Sequence, residues 1–200
     1  MNYKNLKILI PLLVISLILS SNLFAQKSKA LVVTYSMDGN TKIFAEKIIK
    51  RFNADSIFIV AKDYDDITGT ASASGDAWDE VIDTHIVPEK VDMSDYNLIF
   101  LGSPIWWYRP AVPLWTFVSR NDFTGKKVIL FNTFNSRFKQ EYIDKFKNMI
   151  KKNGGELIDH IYVRRGRIIW QMDEEEMVGE FIKILDEKEK KYDKLISKEE

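Results

Sequence analysis

The stretch Thr34-Tyr35-Ser36-Met37-Asp38-Gly39-Asn40-Thr41 joins a short apolar run, Ala30 to Tyr35, to a segment of helical periodicity. From Thr41 to about Asn53, the side chains of Phe44, Ala45, Ile48, Ile49 and Phe52 recur at spacings of three and four, forming the apolar stripe of an amphipathic helix. A strand that enters a helix through hydroxyl, amide and glycine residues builds a seat for one phosphate. The first turn of a helix leaves backbone N–H groups unpaired and carries about half a positive charge, so an anion is held there without a cationic side chain. Ser36 and Thr41 add hydroxyl donors, Asn40 adds an amide, and Gly39 lets the backbone turn close to the ligand. The glycine spacings of the Walker and dinucleotide loops are both missing. An ordinary capped helix after a turn is the competing reading of this loop taken alone.

Outward from that loop, short apolar runs alternate with helical patterns, which indicates a parallel sheet with crossover helices. A second strand is expected at Ser56 to Ala61. The Gly/Ser/Ala-rich piece Thr68 to Gly75 reads as irregular, with a short helix at Ala77 to Asp83 and a break at Pro88. The third strand, Tyr96 to Leu101, runs into Gly102-Ser103-Pro104-Ile105-Trp106-Trp107-Tyr108, and a helix follows from about Val112 to Arg120. The fourth strand is Lys127 to Phe131 with the loop Asn132 to Ser136, then a helix from Lys139 to Lys152 that stops at Gly154-Gly155. The fifth strand is Glu156 to Val163. The last helix starts at Asp173, with Glu176 completing a capping box.

The 200 residues, 46% hydrophobic and 29% charged, have the composition of one globular domain. Lys plus Arg and Asp plus Glu are 29 each, so the overall charge gives no footprint for a nucleic-acid partner. There is no cysteine, which excludes disulfides, thiolate metal sites, a cysteine nucleophile and a lipidated bacterial N-terminus. No histidine or carboxylate cluster suggests a metal site. Residues 1–25 differ from the rest: Lys4 and Lys7 precede an apolar run from Ile8 to Leu19, and Ala25 offers a cleavage point, so this segment reads as a signal peptide ahead of a domain at 26–200. An uncleaved anchor is the alternative, although the run is shorter than the roughly 20 residues of a membrane span. Without residues 1–25 the net charge is −2.

In an open parallel sheet the segments after each strand emerge at one edge, where ligands bind. At that edge the sequence concentrates the phosphate loop, the aromatic run Trp106-Trp107-Tyr108, the polar Asn132 to Ser136 and Arg164-Arg165-Gly166-Arg167. A phosphate seat beside flat aromatics and amide or hydroxyl partners suits a ligand with one phosphate and a planar polar ring, such as flavin mononucleotide (FMN). The pairing of Tyr-Ser-x-x-Gly-Asn-Thr with Leu101-Gly102-Ser103-Pro104-Ile105-Trp106-Trp107, together with Gly125 to Thr133, resembles the flavodoxin family over roughly Ala30 to Leu185. The resemblance implies a three-layer α/β/α fold: a doubly wound, five-stranded parallel sheet in the order 2-1-3-4-5 with FMN at its switch point. It further implies that Ser36, Met37, Asp38, Gly39, Asn40 and Thr41 hold the phosphate. Pro104, Ile105, Trp106, Trp107 and Tyr108 would cover the isoalloxazine, and Asn132, Thr133, Phe134 and Asn135 would meet its pyrimidine edge. Three departures stand out. Asp38 replaces a common hydroxyl, and a carboxylate repels a phosphate unless it points into water. Phe134 and Arg137 are bulky for the fourth-strand loop. No glycine lies between Ile105 and Tyr108 to allow the backbone flip of typical flavodoxins, which favours two-electron chemistry.

Three functional readings follow, none of which needs a catalytic side chain. The first is an exported, periplasmic or secreted, FMN-binding electron carrier served by a redox partner protein or a membrane electron donor. The second is an FMN-dependent reductase of quinones or similar small acceptors, and the third a flavin-less binding domain. Any membrane contact would run through an uncleaved leader. Trp115 and Phe117 read as core, Trp78 and Trp170 as packing or capping residues, and His85 and His160 as structural or solvated. Arg164, Arg165 and Arg167 read as a solvated face or as an anion contact.

Overall fold

A computed structural model describes residues 29–64, 69–167 and 169–197; the expected signal peptide lies outside the described residues. Five parallel strands, β1 (Lys29–Tyr35), β2 (Asp55–Ile59), β3 (Tyr96–Trp106), β5 (Lys127–Phe134) and β6 (Glu156–Arg164), form a sheet in the spatial order β2-β1-β3-β5-β6. This is the expected 2-1-3-4-5 order with one addition, the two-residue β4 (Arg109–Pro110), which folds back antiparallel on the end of β3. The central strands are apolar on both sides: Leu31 to Val33, Leu98 to Leu101 and Val128 to Phe131 are all buried, as a sheet covered on both faces requires.

Helices α1 (Asn40–Phe52) and α5 (Glu174–Ser197) cover one face, where Phe44 stacks on Phe181 at 3.9 Å. Helices α2 (Gly69–Trp78), α3 (Val112–Arg120) and α4 (Gln140–Lys152) cover the other, where Trp115 meets Phe146 edge-on at 4.9 Å. Trp115 and Phe117 are core residues, as read. The capping box forms in full: Asp173 Oδ1 accepts from the Glu176 N–H at 2.8 Å, and Glu176 Oε2 accepts from the Asp173 N–H at 3.3 Å.

Two local readings need correction. The small-residue piece expected to be irregular is α2, and no helix continues from Trp78 to Asp83. Ala73 and Ala77 are small enough to bury α2 against the core, and Tyr64 donates to Asp76 on it at 2.7 Å. The segment after Leu101, expected to be a loop, is strand as far as Trp106, and β5 likewise continues through Asn132 to Phe134.

These extensions carry Gly102 into the sheet beside Phe131, its register partner. A Cβ on Gly102 would fall 2.0 Å from the Phe131 ring, which is itself fully buried under α1 and α5. Gly102→Ala must displace that ring and is expected to cost about 1–3 kcal/mol or more; a drop in the urea midpoint at unchanged m-value checks it.

Candidate functional site

The carboxyl ends of β1, β3 and β5 surround a pocket of about 280 Å³. Asp38 and Asn40 line it from the β1–α1 loop, Pro104 to Tyr108 from the end of β3, and Thr133 to Arg137 from the end of β5, with Arg165 beyond β6. Of the residues singled out by sequence, Asp38, Asn40, Pro104, Ile105, Trp106, Trp107, Tyr108, Thr133, Phe134 and Asn135 meet here. Ser36 and Met37 are half-buried in the loop just before it, Gly39 forms the turn, and Thr41 and Asn132 are buried behind the wall. Ser136 and Arg165, which the sequence placed at the ligand edge without a stated contact to the flavin, also line the pocket, as does Arg137.

The loop is built as its composition requires. Gly39 adopts φ 84°, a left-handed conformation that favours glycine, and among the described residues no atom beyond its chain neighbours lies within 4 Å of where its Cβ would stand. Among the described residues no side chain caps α1, so the amides of its first turn are left without a side-chain acceptor. The start of the helix is fixed instead by the hydroxyls of Thr41 and Thr133, 2.8 Å apart and buried, which tie α1 to the end of β5. Thr34, the residue that leads into the loop, is buried, and its Oγ1 has no partner among the described residues. Asp38 is exposed, the arrangement that lessens its repulsion of an anion.

Opposite the loop stands a hairpin rather than an irregular aromatic segment. Trp106 pairs with Arg109, and the intervening Trp107 and Tyr108 turn with φ 45° and 70°. Two positive values in a two-residue turn are the type I′ pattern, which normally selects Asn-Gly. Side chains there store backbone strain of about 1–3 kcal/mol each, and the surroundings offset it. Trp106 is held edge-on by Tyr35 at 5.5 Å and Tyr64 at 5.8 Å. Trp107 is 44% exposed and leans on Trp78, which explains the otherwise bare Trp78. The Tyr108 carbonyl accepts from the Lys139 N–H at 3.0 Å, and its ring takes the cations of Arg137 at 5.4 Å and Lys139 at 5.3 Å.

Arg109 bolts this hairpin down from behind. It is 1% exposed, donates to the Val81 carbonyl at 3.0 Å and lies over Trp115 at 4.6 Å, while its Nε has no partner among the described residues. Burial lowers its pKa from the ordinary arginine value, opposed in part by the nearby Glu80 carboxylate.

Beneath the pocket runs a polar chain across three strands. Asn132 donates through Nδ2 to the Ser103 carbonyl at 2.7 Å, which leaves its Oδ1 to accept from His160 Nε2 at 2.8 Å. The proton of neutral His160 is thereby placed on Nε2. Asn132 thus joins the strand ends and is fully buried. Burial pushes the His160 pKa down to about 4, only partly opposed by Asp159.

Comparison with known proteins agrees with this geometry. The sequence pattern of the family described as Flavodoxin matches residues 29–181. Among solved structures, an FMN complex of a flavoprotein from Lactobacillus acidophilus NCFM is 25% identical with a TM-score of 0.55, over 68% of this chain and 93% of that one. A protein from Bacteroides uniformis assigned as a flavoprotein is 22% identical with a TM-score of 0.61, over 78% of this chain and 98% of that one. Another so assigned, from Bacteroides eggerthii, is 24% identical with a TM-score of 0.57, over 80% and 96%. No curated protein matches.

The site also predicts a pH dependence. A histidine whose folded pKa lies below its unfolded value of about 6.5 stabilises the fold fully above pH 6.5. That stability is lost as pH falls toward 4, where the folded form takes up the proton. Unfolding free energy should decline by up to about 3 kcal/mol across that window, and His160→Gln should flatten this part of the curve; chemical denaturation at closely spaced pH checks both.

Proposed function

Because the chain belongs to the flavodoxin family, we propose that it binds FMN in this pocket and works in electron transfer. The observation that carries the reading is the convergence of an uncapped helix start and an aromatic hairpin on the walls of one pocket. The buried Oγ1 of Thr34 and Nε of Arg165, neither with a partner among the described residues, fit a site built for a polar guest. So does the flavoprotein–FMN complex among the structural relatives. When bound, the flavin supplies the redox chemistry, and the protein supplies binding, orientation and local charge. The α1 start and Ser36 would hold the phosphate, Trp107 would cover the ring, and Phe134 to Arg137 would meet its polar edge.

The hairpin favours a reductase of quinone-like acceptors as the second reading. Its two turn residues already occupy positive φ without glycine, and the Tyr108 carbonyl is engaged by Lys139. Rotation of that peptide is therefore costly, and reduction in one two-electron step is the simpler course. Lys4, Lys7 and the apolar run after them support export. Outside the cytoplasm nicotinamide donors are scarce, so the electrons would come from a membrane-bound or extracytoplasmic partner.

Titration of residues 26–200 with FMN tests the proposal, since that piece contains every described element. Saturable quenching of flavin fluorescence is expected, with Trp107→Ala weakening it by about 1–2 kcal/mol; unquenched flavin rules the reading out. In a potentiometric titration, one two-electron wave supports the reductase, and two separated waves support the carrier.

A further inference from the structure

Sequence reading of the Ser36 to Thr41 loop called for an anion held without a cationic side chain, yet a guanidinium lines the pocket. Resting on the FMN reading above, we infer that Arg165 is the phosphate's charged ligand and that it makes the site select the phosphorylated flavin over riboflavin. Four observations place it there. Arg165 lines the same pocket as Asp38 and Asn40. On β6, Ile161 and Val163 face the α1–α5 layer, and strand alternation brings Arg165 to that same side. Its backbone N–H donates to the Phe134 carbonyl at 2.8 Å, and the neighbouring Thr133 hydroxyl meets Thr41 at 2.8 Å. Two hydrogen bonds therefore link the Arg165 backbone to the first turn of α1.

The fourth observation is chemical. The Arg165 Nε is buried, and its side chain forms no hydrogen bond or ion pair among the described residues. The other arginines of the run differ: Arg164 is exposed and alternates to the opposite face, while Arg167 donates to Ser136 Oγ at 3.4 Å. A guanidinium is a planar fork that binds phosphate through two parallel N–H bonds. At this place it would offset the charge of Asp38, the loop's one departure that lowers affinity for an anion. Arg137, by contrast, lies over the Tyr108 ring at 5.4 Å.

The test compares FMN with riboflavin, which shares the ring and lacks the phosphate. Arg165→Gln should weaken FMN by about 10- to 100-fold and leave riboflavin within twofold, while Arg165→Lys keeps part of the preference and Arg164→Gln changes neither ligand. Equal losses for both flavins, or no loss for FMN, overturn the assignment of Arg165 while the FMN reading stands. Failure of the unaltered protein to bind FMN sinks the FMN reading itself. Should Arg165→Gln not fold, the unaltered protein still decides: its FMN-to-riboflavin affinity ratio must fall as sodium chloride is raised, and a constant ratio refutes the inference.

Discussion

The buried contact between the hydroxyls of Thr41 and Thr133 fixes where α1 begins, and the rest of the pocket is arranged around it. Beyond the left-handed turn at Gly39, α1 has no side-chain hydrogen bond among the described residues to cap its first turn. Here the start is set by β5, the strand that also carries Thr133 and Phe134 into the pocket wall. The amides of the first turn and the polar end of β5 are thereby held in one frame. Beneath them the Ser103–Asn132–His160 chain joins β3, β5 and β6, so the strand ends that form the wall are also linked to one another.

The hairpin solves a different problem. An aromatic cover must project from the sheet edge yet keep its place, and Trp107 and Tyr108 do so in a turn that glycine would have made easier and softer. The strain is balanced from behind by Arg109, buried against Trp115 and bonded to Val81, and from the side by Lys139 and Arg137. Trp106 faces inward to Tyr35 and Tyr64, which leaves Trp107 as the exposed surface. The two adjacent tryptophans, alike in sequence, have separate tasks.

Most of the sheet was legible because parallel strands buried on both faces read as unbroken apolar runs, and the capping box at Asp173 marked the last helix. The β1–α1 loop was legible for the same local reason, its glycine and hydroxyls. Helix α2 was hidden because alanine, serine, threonine and glycine give little contrast between its faces, and tertiary contact through Ala73 and Ala77 decides its packing. The hairpin was hidden because Trp-Tyr carries no turn signature. Arg165 was visible only as one of three arginines; counting alternate residues from Ile161 and Val163 would have separated it from Arg164. His160 gave no signal at all, since its partner Asn132 lies on the neighbouring strand, two positions beyond Leu130, the register partner of His160, and is far from it in sequence.

The central claim is that the first turn of α1 binds the phosphate of a flavin whose ring lies against the hairpin. Backbone amide chemical shifts of Gly39, Asn40 and Thr41, followed during titration with FMN, test it most directly. The account predicts downfield movement of these amide protons that saturates together with shifts at the Trp107 indole, and that is absent from the loop when riboflavin is added instead. Saturation of the flavin with those three amides unmoved would contradict it.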